Sequence, residues 1–325
     1  MKLGRLLLAA SLVSLLSACD STMGPERWFD ATAQGAMSAS LSSSGRYAIV
    51  GSSDHGGSLW DIRQAERLFD WNHQAEGFSD LVAAGFSPEG EYAVTATTMD
   101  LVLWQVSTGE PIWFWSAPGE ILDLAVSPNG DFALLGLANH QAVFFDVKQG
   151  GIRQTLRHPA RVRSVALSAD GRFALTGADD YRARFWDLET GNLLSEILLD
   201  NIVDSVALSP NAQLAFSSGA LSQAVIWDTR NGSLIGSISG NEAFFKRRLT
   251  HLAARFSDNG DRLLTGTASG SVFLWDTRDG RQLRHWQIQK RDVYGPVSTG
   301  IYDVAFDADS TYIAVGSNGI INILR

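Results

Sequence analysis

Residues 158–187 read HPARVRSVALSADGRFALTGADDYRARFWD, and this stretch decides the fold. It ends on the pair Trp186-Asp187, preceded by the turn sequence SADG, which ends at Gly171. The pair recurs, whole or substituted, at Trp60-Asp61, Trp104-Gln105, Phe145-Asp146, Trp227-Asp228, Trp275-Asp276 and Leu324-Arg325. Successive pairs are separated by 44, 41, 41, 41, 48 and 49 residues. Because intervals in the low forties are typical of repeat arrays, we expect seven similar units.

A turn sequence precedes each pair by 14 or 15 residues, for example SPEG ending at Gly90 and SPNG ending at Gly130. Pro, Asp and Asn favour turn backbone and Gly supplies positive φ, so these sequences predict hairpins. Short runs of β-branched and aromatic residues flank them, without a helical period. We predict four short strands, a to d, in each unit. A four-stranded sheet cannot bury both of its faces alone, which favours radial stacking into a ring.

These features resemble the WD40-repeat family over residues 26–325. The resemblance implies an all-β fold, a seven-bladed β-propeller of four-stranded antiparallel blades. It also implies a structural hydrogen-bond tetrad, which falls here on His158, Thr176, Asp180 and Trp186. The other units depart from this pattern, above all at the position of Asp180, so we expect packing to hold most blades together.

The two ends of the chain predict how the ring closes. The seventh unit stops at Arg325, directly after its strand c, and lacks a strand d. Residues 26–30, ERWFD, resemble strand d runs such as PIWFW at 111–115. We therefore expect the N-terminal segment to supply the missing strand and leave no open seam.

One basic residue breaks the pattern of the innermost strands. The residue two positions before the turn is small in most units, as at Ala166 and Ala207, but it is Arg255 in the sixth. Either the strand register is shifted there or a charge points into the axial channel. We favour the shifted register.

Residues 1–18 have the pattern of a lipoprotein signal peptide. Lys2 and Arg5 precede an apolar run at 6–16 that is too short to span a bilayer. The sequence Leu-Ser-Ala-Cys at 16–19 resembles the bacterial lipobox, which implies cleavage before Cys19, its acylation and membrane anchoring. Cys19 is the only cysteine, so the chain can form no internal disulfide. A plain secretory signal with a stray cysteine is the alternative.

The anchor sets the expected organisation and location. Residues 19–25 form a short tether, and 26–325 form a single propeller. The protein would be held on the periplasmic side of a bacterial membrane. Asp20 favours the inner membrane, but the choice between inner and outer stays open.

The net charge and the absence of several motifs limit the classes of function that the sequence supports. A net charge of −9 disfavours nucleic acid as a partner. The sequence has no nucleophile elbow, phosphate-binding glycine loop or paired-cysteine metal motif, and its six histidines show no ligand spacing. The acidic residues of the repeated pairs are scaffold residues at turns. We therefore expect no enzyme activity, no cofactor and no metal site.

The two longest intervals contain extra residues between a strand d and the next strand a, at 239–250 and 289–300. Both are rich in basic and aromatic residues, a composition typical of binding hot spots. The candidate partner-binding residues are Phe244, Phe245, Lys246, Arg247, Arg248, Lys290, Arg291 and Tyr294. Surface insertions whose aromatic residues fold onto the propeller are the alternative.

These inferences favour a non-enzymatic, lipid-anchored scaffold for protein–protein interactions in the cell envelope. Its partners would be proteins, with an acidic partner as the sharper hypothesis, and the chain would be a monomer or part of a hetero-complex. The alternative is a quinoprotein-like propeller enzyme or a ligand-binding envelope protein. Segments 108–113 and 279–283 loosely resemble the c–d turns of quinoprotein propellers.

Overall fold

The computed structural model describes residues 22–221, 223–238, 249–291 and 299–325. In this part of the chain, 28 strands form seven four-stranded antiparallel sheets. Two short 3-10 turns, Pro128–Gly130 and Ala308–Ser310, lie between strands. No helix among the described residues is long and apolar enough to cross a membrane.

In chain order the strands are β1 (Arg27–Asp30), β2 (Ala36–Leu41), β3 (Tyr47–Ser52), β4 (Gly56–Asp61), β5 (Glu66–Asp70), β6 (Ala83–Phe86), β7 (Tyr92–Ala96), β8 (Asp100–Gln105), β9 (Pro111–Ser116), β10 (Ile121–Val126), β11 (Phe132–Leu137), β12 (Gln141–Asp146), β13 (Ile152–Arg157), β14 (Val162–Leu167), β15 (Phe173–Ala178), β16 (Arg182–Asp187), β17 (Leu193–Leu198), β18 (Val203–Leu208), β19 (Leu214–Gly219), β20 (Ala224–Asp228), β21 (Ser233–Ile238), β22 (His251–Phe256), β23 (Arg262–Thr267), β24 (Ser271–Asp276), β25 (Gln282–Gln287), β26 (Ile301–Phe306), β27 (Tyr312–Gly316) and β28 (Ile320–Leu324).

Blades 1 to 6 each use four consecutive strands, beginning with β2, and blade 7 contains β26, β27, β28 and β1. The fold is therefore the predicted seven-bladed propeller. Its core lies between blades: Phe185 of blade 4 packs in one buried cluster with Val206 and Trp227 of blade 5. Fully burying such side chains contributes about 1.5–3 kcal/mol each, which explains why an aromatic residue recurs in strand c.

The predicted ring closure is confirmed. β1 pairs antiparallel with β28, with Arg27 opposite Ile323 and Asp30 opposite Ile320. The structure differs from the sequence expectation in the last repeat. Ile323 lies opposite Ile313 as Trp186 lies opposite Ala174, so the pair of the seventh unit is Ile323-Leu324 instead of Leu324-Arg325. The hairpin of strands b and c is shorter in this blade.

The expected tether at 19–25 is already part of the ring at Met23. The Met23 N–H donates to His285 O at 3.0 Å, and the Gln287 N–H donates to Met23 O at 2.9 Å. Met23 thus extends the outer edge of β25 in parallel before the chain crosses to blade 7. Contact between the N-terminal segment and the propeller therefore begins before residue 26.

The expected register shift at Arg255 is wrong. Arg255 lies opposite Leu264 as Ala166 lies opposite Leu175, so blade 6 keeps the register of its neighbours. Its guanidinium instead donates to the side chain of Asp303 and to Leu41 O. The charge lies in the wall of the axial channel, where an acidic partner offsets the cost of removing it from water.

Candidate functional site

Three of the four predicted tetrad residues form one buried chain of hydrogen bonds in blade 4. The Trp186 Nε1–H donates to Thr176 Oγ1 at 2.9 Å, and His158 Nε2 lies 2.8 Å from the same oxygen. His158 Nδ1 lies 3.1 Å from Leu156 O. A neutral imidazole with its proton on Nδ1 satisfies all of these contacts, because Nε2 then accepts from the Thr176 hydroxyl. The arrangement ties strands b and c to the segment entering the blade.

The fourth residue, Asp180, lies outside this chain of hydrogen bonds. Its carboxylate accepts two hydrogen bonds from Arg184, at 3.1 and 2.5 Å. The Arg184 Nε–H also donates to Glu196, at 3.1 Å. A buried guanidinium needs acidic partners, and Arg184 in strand c competes successfully for the carboxylate.

Blade 2 contains a matching arrangement that the sequence reading missed. The Trp104 Nε1–H donates to Thr95 Oγ1 at 2.8 Å, and His73 Nε2 lies 2.8 Å from that oxygen. His73 precedes its threonine by 22 residues, whereas His158 precedes Thr176 by 18. Because the loop before blade 2 is longer, spacing alone does not show that His73 is equivalent to His158, although the spacing of Thr95 and Trp104 indicates it.

Three histidines are held neutral by the fold. Burial lowers the pKa of His73 to about 4. Burial also lowers the pKa of His158 to about 4, and nearby Arg184 acts in the same direction. Burial alone lowers the pKa of His251 to about 4, and its ring packs against Phe216 and Trp275. All three are therefore uncharged structural groups near neutral pH.

The axial channel is a cavity of about 1170 Å³ lined mainly by the innermost strands. Asp123 and Asp303 lie in its wall at corresponding positions of β10 and β26. Each accepts the N–H of its own next residue and one from the adjacent blade, Val165 for Asp123 and Leu41 for Asp303. Burial raises the pKa of the Asp123 carboxyl to about 6. These carboxylates join neighbouring blades at the axis.

One end of the ring carries several exposed apolar side chains. At this end strand a begins, and the b–c turns and d–a connections lie there; we call it the b–c face. Leu221, in the b–c turn of blade 5, is 72% exposed, and Phe78, before blade 2, is 62% exposed. The other exposed apolar residues on this face are Met37, Met99, Tyr181 and Leu252. They come from blades 1, 2, 4 and 6, and Leu252 also lines the channel.

The predicted binding loops join the ring at the b–c face, between blades 5 and 6 and between blades 6 and 7. Phe244, Phe245, Lys246, Arg247, Arg248 and Tyr294 lie outside the described residues. Lys290 is described and exposed.

Arg291 has an intramolecular role that the binding prediction did not anticipate. Its Nη2 donates to Thr32 O at 2.6 Å and to Asn318 O at 2.8 Å, and lies 2.9 Å from Asp30 Oδ1. The side chain clamps the end of β1 onto blade 7. The structure thus places Arg291 at the ring closure, where its Nε and Nη2 donors are already occupied.

Within the described ranges, no group of three or more His, Cys, Asp or Glu side chains is arranged to hold a metal ion. The buried histidines described above contact threonine, backbone or aromatic groups.

The comparison with protein families agrees with this geometry. A family model described as "WD domain, G-beta repeat" matches residues 150–187, 232–276 and 288–323. These matches cover strands a to c of blades 4, 6 and 7, and the first two also include the outer strand of the preceding blade. The comparison with curated proteins gave no match. The chain thus carries WD40 repeats on a seven-bladed β-propeller.

Proposed function

We propose that this protein is a lipid-anchored, non-enzymatic platform for protein–protein interactions in the bacterial cell envelope. WD40 propellers typically mediate such interactions, which supports the general class. The observation that carries the proposal is the b–c face. There, six large apolar side chains from five blades are exposed on one face of the ring.

The physical argument rests on the combination of exposure and rigidity. Exposed apolar side chains grouped on one face, with polar surroundings, are characteristic of interaction sites. The b–c turns are short and joined to paired strands, so little conformational entropy is lost when a partner binds. Tyr181 and Leu221 also adopt positive φ, at 68° and 47°. Such backbone is uncommon for bulky residues and is found where the surroundings impose it.

The lipid anchor is proposed from the sequence, and the position of Met23 sets its reach. The lipobox-like segment places one cysteine at residue 19. Met23 is already bonded to blade 6, so only Asp20, Ser21 and Thr22 lie between that cysteine and the ring. An acylated Cys19 would hold the propeller close to the bilayer.

Ligand binding in the axial cavity is the second candidate. A volume of about 1170 Å³ is enough for a small molecule, and the wall carries Asp123 and the Arg255–Asp303 pair. Small molecules would compete with a ligand for the axial cavity. Binding at the b–c face would depend on a macromolecular partner.

Site-specific photo-crosslinking in membranes tests the platform. A crosslinker at Met99 or Leu221 should capture a discrete partner, and one at Leu193 or Leu234, exposed on outer strands, should not. Met99→Asp with Leu221→Asp should abolish capture by a crosslinker at Tyr181. The matched pair Leu193→Asp with Leu234→Asp should leave it intact. Equal capture from both sets of positions contradicts the proposal.

Metabolic labelling with a fatty-acid probe tests the anchor separately. The wild-type chain should incorporate the probe and sediment with membranes, and Cys19→Ser should do neither. Labelling that survives in the Cys19→Ser chain would place acylation elsewhere. An unlabelled wild-type chain would favour the plain secretory signal.

A further inference from the structure

The outer edge of blade 6 fixes where the chain leaves the ring toward its N-terminus. Two backbone hydrogen bonds hold Met23 on β25, one to His285 O and one from the Gln287 N–H. The Met23 side chain is half-buried against the cluster that contains Trp286. The exit point is therefore part of a sheet and cannot sample the whole surface.

The covalent reach from this point is short. Four residue steps separate Cys19 from Met23, which span about 14 Å at about 3.4 Å per residue. If acyl chains on Cys19 enter a bilayer, the perimeter of blades 6 and 7 must lie near the headgroups. This step rests on the lipid anchor of the proposed function.

The same perimeter is basic, although the protein as a whole is acidic. Residues 278–291 contain five basic residues and one acidic residue, and residues 26–30 contain one basic and two acidic residues, in a chain of net charge −9. Glu26 and Asp30 pair with Arg325 and Arg291, at 3.7 and 2.9 Å. Arg278, Arg281 and Arg284 lie on or beside β25 and are exposed. Arg27, at the start of β1, is also exposed. The acidic neighbours Asp276 and Asp279 pair with Arg278 and Arg281, at 2.6 and 3.8 Å.

Two of these basic side chains, Arg27 and Arg284, form no ion pair or side-chain hydrogen bond with any residue that the structure describes. Trp28 follows Arg27 on β1 and is 46% exposed. Tryptophan with one apolar and one polar side is favoured at membrane–water interfaces, where both parts are accommodated.

We propose that this edge, formed by Arg27, Trp28, Arg278, Arg281 and Arg284, docks on the anionic headgroups of the membrane that holds Cys19. The anchor supplies a high local concentration, and the basic edge selects one orientation. The propeller then lies with the perimeter of blades 6 and 7 against the lipid. The b–c face remains open to partners along the ring axis.

The test uses the chain from Cys19 onward, because all seven blades form within residues 22–325. Its single thiol is coupled to a maleimide lipid in vesicles of phosphatidylcholine alone or of equal parts phosphatidylcholine and phosphatidylglycerol. Amide hydrogen exchange is then compared in segments 26–30 and 278–287. Both segments should exchange more slowly on the phosphatidylglycerol vesicles, and the outer strand of blade 3 should not change.

A matched pair of variants separates a local site from overall charge. Arg27→Gln with Arg284→Gln should lower the docked-to-undocked ratio about 30-fold, at about 1 kcal/mol for each basic residue near an anionic surface. Arg153→Gln with Arg157→Gln removes the same charge from β13, and its protection should equal that of the wild type. High salt should abolish the difference between vesicles.

Each outcome decides the matter. Equal exchange on both vesicles, or equal loss in both variant pairs, overturns the docking edge. Thiol coupling replaces natural acylation, so this result is independent of whether Cys19 is acylated in the cell. A chain that is acylated but shows no lipid-dependent protection keeps the anchor and loses the edge.

Discussion

Replacing Arg255 with alanine should weaken the closure of the ring at its axis. The Arg255 guanidinium donates to Asp303 and to Leu41 O, both at 2.9 Å, and so joins blade 6 to blades 7 and 1. Alanine creates no steric problem, because it already occupies the corresponding position in blades 3, 4, 5 and 7. Any loss of stability must therefore come from the interactions of the guanidinium.

The expected loss of unfolding free energy is about 2 kcal/mol. A hydrogen bond to a charged group contributes about 1.5–3 kcal/mol, and breaking a fully buried ion pair costs about 3–5 kcal/mol. The Arg255 side chain is 26% exposed in the channel, so water can partly rehydrate Asp303 after the change. Asp303 also keeps the N–H groups of Leu41 and Val304. Both facts favour the lower part of the range.

Equilibrium unfolding in urea measures this loss as a lower midpoint at an unchanged slope. The double-mutant cycle with Asp303→Ala should give a coupling energy of about 1–2 kcal/mol. Arg230→Ala is the control, because its pair with Asp228 lies at the surface and Arg230 is 72% exposed. The reasoning is refuted if Arg255→Ala is as harmless as Arg230→Ala, or if the cycle is additive.

Three further outcomes follow from the same contacts. Stability should fall as the pH drops from about 6.5 to about 4, by up to about 3 kcal/mol for each buried histidine, because the unfolded chain binds protons that the folded chain excludes. Protonation of Asp123 should offset roughly one of these three terms, and a flat thermal-melting profile over this range would contradict the assignment. Thr176→Val should lower the free energy of unfolding in urea by about 1 kcal/mol more than Thr265→Val does. Thr265 accepts a hydrogen bond from a tryptophan but has no histidine contact, whereas Thr176 has both. Equal losses would show that His158 has no structural role. Arg291→Ala should speed hydrogen exchange in β1 while leaving partner capture unchanged, and lost capture with unchanged exchange would restore its binding role.

The architecture was predictable because each repeat contains the residues that determine its own strands and turns. A turn sequence and an aromatic residue at a fixed offset specify a hairpin and its buried face, and seven copies specify the ring. The closing strand was predictable from composition, since 26–30 resemble other outer strands. None of these inferences needs contacts between distant residues.

The errors concern side chains whose partners come from another blade, from a longer loop or from a competing residue nearby in the sequence. Arg255 looked out of place because its acceptors, in β26 and β2, are remote in sequence. Asp180 fits the tetrad by its position, but Arg184, four residues later, binds its carboxylate. His73 was missed because its entry loop is four residues longer than that of His158. Sequence periodicity predicts where a residue lies, but not which of several nearby groups it binds.

The polar contacts concentrate where the ring is most costly to close. β1 and β28 lie at opposite ends of the chain, so their pairing restricts nearly the whole polypeptide and carries the largest closure entropy of any blade. Backbone pairing in one four-residue strand offsets only a small part of that free-energy cost. Arg255 at the axis, Arg291 at the b–c face and Met23 at the outer edge each add a contact at blades 6, 7 and 1. These contacts lie at three different places around the closure of the ring: the axis, the b–c face and the outer edge. Losing one should therefore loosen the closure without opening it, and losing two together should release β1 cooperatively.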